Sequence, residues 1–170
     1  MKAYTNVNLV TCDSAFHVYR EGLLVVEDDR IAYCGTYDEA WLEQCSELVD
    51  YEGAWIMPGL VNCHTHSAMT LLRGIRDDSN LHEWLEDYIW PAESQFTADL
   101  TTEAVQLALA EMLLSGTTTF NDMYNPQGVE IDRIYQAVRQ SGMRCYFSPT
   151  LFSSAAETVE ETLARTRAII

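Results

Sequence analysis

Lysine is almost missing from this sequence. Lys2 is the only one, and with the arginines it makes ten basic residues against 26 acidic ones, a formal net charge of −16. Such a surface repels phosphate backbones, which argues against nucleic-acid binding. It disfavours anionic membrane surfaces for the same reason. The five cysteines, Cys12, Cys34, Cys45, Cys63 and Cys145, are odd in number, widely spaced and without a C-x-x-C. A disulfide framework is thereby disfavoured, and reduced thiols in a cytoplasmic protein are the expectation. The N-terminal MKAYTNVNLV lacks the continuous apolar core of a signal peptide. There is no internal repeat and no low-complexity linker.

Charge is also missing locally. Residues 53–72 carry no charged side chain, although the rest of the chain is rich in acids. The run has the length of a membrane span, but Pro58, Asn62, His64, His66 and several hydroxyls would be costly in lipid. The expectation is a segment buried in protein beside something polar. With 170 residues, 48% of them hydrophobic, the chain is long enough for one domain with a sizeable core.

Residues 1–52 read as short strands, KAYTNVNLVTC and then GLLVVEDDRIAYCG, whose two β-rich halves flank the acidic turn Glu27–Asp29. Segment 38–50 reads as a short helix or loop before a strand at YEGAWIM, and AWIMPGLVN as a buried strand. DLTTEAVQLALAEMLLSG sets Val105, Ala108, Leu109, Met112 and Leu113 on one helical face. Asp99 or Thr101 is its expected cap and Gly116 its stop. The strand TTTFNDM follows. VEIDRIYQAVRQSG is a second helix with Ile131, Ile134, Tyr135 and Val138 on one face and Gly142 as its stop. MRCYFSPT is the next strand and AAETVEETLARTRAII a third helix. Alternation of this kind argues for parallel β/α architecture. A closed (β/α)₈ barrel takes ~250 residues, so about three βα units are its opening part. The expected division is 1–55, a β-sandwich portion of a composite domain, and 56–170, the first part of the barrel.

His64 and His66 stand at i and i+2 of the strand, so both side chains project from one face and can reach one metal ion. In a chain with four histidines such a pair arises by chance in roughly one sequence in ten, so the spacing alone leaves ligation and coincidence open.

The longer stretch GAWIMPGLVNCHTHSAMTLLRGIRDDSNLHEWLEDYIWPAE resembles the opening of the amidohydrolase superfamily. The branch it is most similar to holds 5-methylthioadenosine/S-adenosylhomocysteine deaminases and chlorohydrolases. P-G-x-x-x-x-H-x-H, L-R-G, W-P-x-E and SGTTTFNDMY carry the resemblance, which extends over all 170 residues. It implies an α/β fold, the N-terminal part of a metal-dependent hydrolase (β/α)₈ TIM barrel preceded by a small β-sandwich portion. It also implies that His64 and His66 ligate a metal, usually zinc, with another divalent ion such as Fe²⁺ as the alternative. The implied activity is hydrolytic deamination of an adenine nucleoside. Chlorohydrolase or guanine-type chemistry, or a non-catalytic piece, are the alternatives. The family's remaining ligands and its proton-transferring glutamate and histidine belong to later strands, so no catalytic residue is expected within these 170. Homo-oligomer formation with a small-molecule substrate, and neither nucleic acid nor membrane, completes the implied picture.

By the same resemblance Glu93, in WPAE, hydrogen-bonds the ribose hydroxyls of a nucleoside; the plainer reading is a helix N-terminal acid after Pro91. Trp90 is either an apolar wall for a purine or a core residue. Tyr124 and Asn125 follow the second barrel strand, on the active face or in a plain turn. Arg73 and Arg76 are expected to pair with Asp77 and Asp78, and Cys63 to pack away from the histidines. His17 and His82 match no family ligand.

Overall fold

The structure is a computed structural model that describes residues 1–124, 131–149 and 158–167. It divides into two compact units, Met1–Pro58 and Gly59–Ile170.

The first unit is a five-stranded sheet built from β1 (Lys2–Val10), β2 (Val18–Glu27), β3 (Arg30–Gly35), β4 (Glu47–Asp50) and β5 (Trp55–Ile56). The order is β3-β2-β1-β4, with β5 also on β1. The acidic turn closes the β2–β3 hairpin, where Glu27 faces Arg30 across a loop with Asp28 at φ 51°. Aspartate tolerates that left-handed backbone better than most residues. Two apolar clusters pack on this sheet, one around Ala3, Leu23 and Val25 and one around Val7, Leu9 and Leu24. Helix α1 (Glu39–Leu42) is capped by the Asp38 carboxylate, which accepts from the Ala40 amide at 3.0 Å. Segment 38–50 ends in β4, a strand that its charged composition hides. Parallel pairing of Glu47 to Asp50 with Lys2 to Thr5 makes it one, and a 2.7 Å Lys2–Glu47 ion pair lies across the ladder. The strand expected at YEGAWIM shortens to β5. Glu52 and Gly53 take positive φ, and Asp50 accepts from the Glu52 amide at 2.7 Å, which bends the chain before Trp55.

In the second unit β6 (Leu60–Thr65), β7 (Thr117–Tyr124) and β8 (Arg144–Pro149) form a parallel sheet in the order β6-β7-β8. The β6-to-β7 connection holds a 3₁₀ segment (Ser67–Leu72), α2 (Leu81–Glu83), a π-helical stretch (Trp84–Ile89), α3 (Trp90–Glu93) and α4 (Ala98–Leu114). Helix α5 (Ile131–Ser141) joins β7 to β8, and α6 (Val159–Arg167) follows. This is the expected strand–helix alternation. The core is the layer between sheet and helices, where Val105 and Leu109 of α4 and Ile134, Ala137 and Val138 of α5 surround Phe120 of β7. A 2.5 Å ion pair between Arg133 and Asp99 ties α5 to α4. Gly116 and Gly142, at φ 85° and 74°, end the two helices in the left-handed conformation that glycine adopts without strain.

Four sequence expectations need correction. The α4 cap is Thr97, whose hydroxyl accepts from the Leu100 amide at 3.2 Å; the helix starts earlier than a cap at Asp99 or Thr101 would allow. Leu113 lies in the last turn of α4 and is exposed. Arg73 makes a bidentate pair with Glu111 of α4, at 3.2 and 2.6 Å, and Arg76 reaches Ser79 and Glu83, so neither relies on Asp77 or Asp78. Finally, the apolar run is not buried: Leu60 is 52% and Val61 64% exposed. Strand β6 is an edge strand of the described sheet, hydrogen-bonded to β7 on one side, and these side chains are only partly covered by the described residues.

Gly59 enters β6 where a Cβ would lie 2.2 Å from the Thr118 hydroxyl and 2.7 Å from its Cβ. The rigid Thr118 Cβ has no rotamer escape, so the strands would have to part. Gly59→Ala is expected to destabilise by about 1–3 kcal/mol, and Thr118→Gly in the same protein to restore part of the loss. Equilibrium urea unfolding of the single and double variants checks this.

Candidate functional site

Strand β6 is irregular where its polar residues begin. Asn62 pairs with Phe120 and Thr65 with Asp122, so three steps on β6 oppose two on β7 and one residue bulges. The Asn62 side-chain carbonyl accepts from the His64 amide at 3.1 Å and pins that bulge. Bulges of this kind re-aim side chains. The His64 and His66 rings come together with centroids 5.0 Å apart and planes at 81°. Two imidazole nitrogens ~2.1 Å from one tetrahedral ion place ring centres roughly 5 Å apart, so the spacing suits a shared divalent cation. His66 Nδ1 lies 3.0 Å from the Met123 carbonyl oxygen, to which it donates as the Nδ1–H tautomer, leaving Nε2 as the free donor atom. Both rings are exposed, on the open side of the strand end. Among the described residues no third His, Cys, Asp or Glu joins them in a ligating cluster.

Directly after His66 the chain turns into the 3₁₀ segment. Its first residue, Ser67, is buried and donates twice to Asp122: the amide to Oδ1 at 2.8 Å, the hydroxyl to Oδ2 at 2.5 Å. Burial pushes the Asp122 carboxyl above its ordinary range, while the Ser67 bonds and the nearby His66 pull it back. Sequence reasoning missed Asp122. The available signal was one acid inside the otherwise uncharged TTTFNDM, two positions from core Phe120 and hence on the same face.

Glu93, half-buried at the end of α3, is close enough to His66 to feel its charge; burial raises its carboxyl pKa and His66 opposes the rise. Trp90, at the start of α3, is 42% exposed and therefore no core residue. Cys63 is exposed rather than packed. Asn125 lies outside the described residues, as does the side chain of Tyr124. His17 is occupied by Asp13 at 2.7 Å, a contact that holds the Asp13 carboxyl down at about 2. His82 is exposed on α2. The Asn121 side-chain carbonyl accepts from the Ser148 hydroxyl at 2.7 Å, tying β7 to β8.

Comparison with known proteins places this architecture. Residues 55–170 match the Amidohydrolase family. The chain belongs to that family. A 5-methylthioadenosine/S-adenosylhomocysteine deaminase of Bacillus cytotoxicus is 46% identical over 159 residues, 94% of this chain and 37% of that protein. An adenosine deaminase from Xanthomonas campestris, solved with bound zinc, matches 99% of this chain and 40% of its own, at 29% identity and a TM-score of 0.75. The atrazine chlorohydrolase of Arthrobacter aurescens, complexed with zinc, matches 99% and 42% at 21% identity and a TM-score of 0.83. The last likeness speaks for the fold alone. This amidohydrolase chain therefore has the expected α/β class and spans little more than a third of the curated relative's length. No helix among the described residues is long and apolar enough to cross a membrane.

Cys145, on β8, is pushed up to about 12 by burial and by the Asp122 carboxylate beside it. A thiol held so far up is a poor nucleophile near neutral pH. Iodoacetamide is expected to modify exposed Cys12 and Cys63 within minutes to hours and to leave Cys145 unmodified in the folded protein. Peptide mass mapping reads the difference.

Proposed function

We propose that the full-length protein is a metal-dependent deaminase of adenine nucleosides, with S-adenosylhomocysteine and 5′-methylthioadenosine as its substrate class. The observation that carries this reading is the His64–His66 pair, 5.0 Å apart at the end of a parallel strand. The 46% identity to a deaminase of that name supplies the substrate class. His64 and His66 hold the ion, zinc in the first instance, with further ligands from residues beyond these. A divalent ion held there supplies Lewis-acid chemistry that makes water a nucleophile near neutral pH. Hydrolysis replaces the exocyclic amino group at C6 with oxygen from water and releases ammonia.

The chain's own residues bind and orient. The Met123 carbonyl fixes the His66 tautomer, and the Asn62 side chain fixes the backbone under His64. Glu93, raised by burial yet beside the histidines, accepts from the ribose hydroxyls, and exposed Trp90 gives the purine an apolar wall. The partners in this reading are small molecules, not nucleic acid or membrane. Self-association enters only from the family resemblance, and a cytoplasmic location only from the thiol count. Chlorohydrolase or guanine-type activity rests on likeness of fold at about 20% identity, so it ranks second.

The test is product analysis with purified full-length protein. Ammonia release from S-adenosylhomocysteine and 5′-methylthioadenosine is expected; inertness toward both with turnover of guanine or a chlorotriazine would overturn the substrate class. His64→Ala and His66→Ala are each expected to lower zinc affinity at least ~10-fold. Metal analysis after dialysis measures that loss, and retention of zinc by both variants would remove the pair from the site. Glu93→Gln is expected to raise KM for nucleosides about 10-fold, the loss of one hydrogen bond to a charged acceptor. Steady-state kinetics with and without the ribose moiety show whether the loss tracks the sugar.

A further inference from the structure

A buried carboxylate is expensive unless it is paired, and Asp122 is the acidic side chain with 0% exposure among the described residues. No lysine or arginine pairs with it there. Its partners are the amide and hydroxyl of Ser67, at 2.8 and 2.5 Å, and its nearest ionisable neighbours are His66 and the protonated thiol of Cys145. Asn or Ser would start a 3₁₀ segment at lower cost in desolvation. A buried carboxyl group at this point calls for another reason.

The geometry supplies one. Asp122 and Met123 are consecutive on β7, and His66 and Ser67 are consecutive after β6. Met123 accepts from the His66 ring while Asp122 holds both polar hydrogens of Ser67. Each residue of one pair thus grips one residue of the other, and the imidazole is fixed from its ring and from the backbone behind it. We propose that Asp122 is a positioning residue for the metal centre, acting through Ser67 to hold His66 in its ligating orientation. This rests on the reading that His64 and His66 bind a divalent ion.

A purely structural Asp122 would show itself only in stability, so the test uses metal affinity and a ligand-field spectrum. The variants, made in the full-length protein, are Asp122→Asn, Ser67→Ala and Phe120→Leu. The last loosens the core on the same strand without touching the Ser67 contacts. Zinc affinity is read by chelator competition and site geometry by the visible spectrum of Co²⁺-loaded protein. Asp122→Asn is expected to bind zinc ~10–100-fold more weakly with an altered Co²⁺ spectrum, and Ser67→Ala to follow with a smaller shift. Phe120→Leu is expected to lower the melting temperature of the metal-free protein and leave both readouts as in the wild type. Wild-type affinity and spectrum in Asp122→Asn, or in Ser67→Ala should the first fail to fold, overturn the proposal. So does an equal shift in Phe120→Leu. The metal reading itself fails by a separate sign, unchanged zinc in His64→Ala and His66→Ala.

Discussion

Parallel hydrogen bonding between β6 and β7 is the constraint under which the second unit is arranged. The ladder begins regularly at Leu60 and Thr117, then loses its step between Asn62 and Thr65. The irregular step falls at the histidines, where the Asn62 side chain takes the His64 amide and the rings of His64 and His66 lie 5.0 Å apart. Strand β7 then contributes backbone at Met123 and a carboxylate at Asp122, so the same pairing that orders the sheet also orders the residues leaving it. Helices α4 and α5 pack on β7 around Phe120.

Much of this is legible in the sequence because it is local. The face of α5 announced by Ile134 and Val138 is the buried face, and Gly116 and Gly142 end their helices. The histidine spacing carries its own geometric content, since i and i+2 share a side of a strand. What was not legible is relational. Asp122 and Ser67 are 55 residues apart, and only the register of two strands brings them together. Strand β4 is one because β1 lies beside it, not because of its composition. That β6 is an edge strand of the described sheet, with Leu60 and Val61 exposed, is not written in any local pattern.

Two parts of the chain respond differently to the same acidity. Exposed pairs such as Lys2–Glu47 and Arg73–Glu111 sit in water, where such contacts contribute little to stability. Asp122 sits in a dry layer, where the hydrogen bonds it makes decide whether it is tolerated at all. Among the described residues, the acidic side chain withdrawn from water is Asp122, whose partner Ser67 directly follows His66.

Leu60 and Val61 leave apolar surface exposed on β6, an edge strand of the described sheet. Exposed strand edges are where further strands add, and a net charge of −16 opposes such pairing between copies of this chain over a range set by salt, roughly 30 Å at 0.01 M and about 8 Å at 0.15 M.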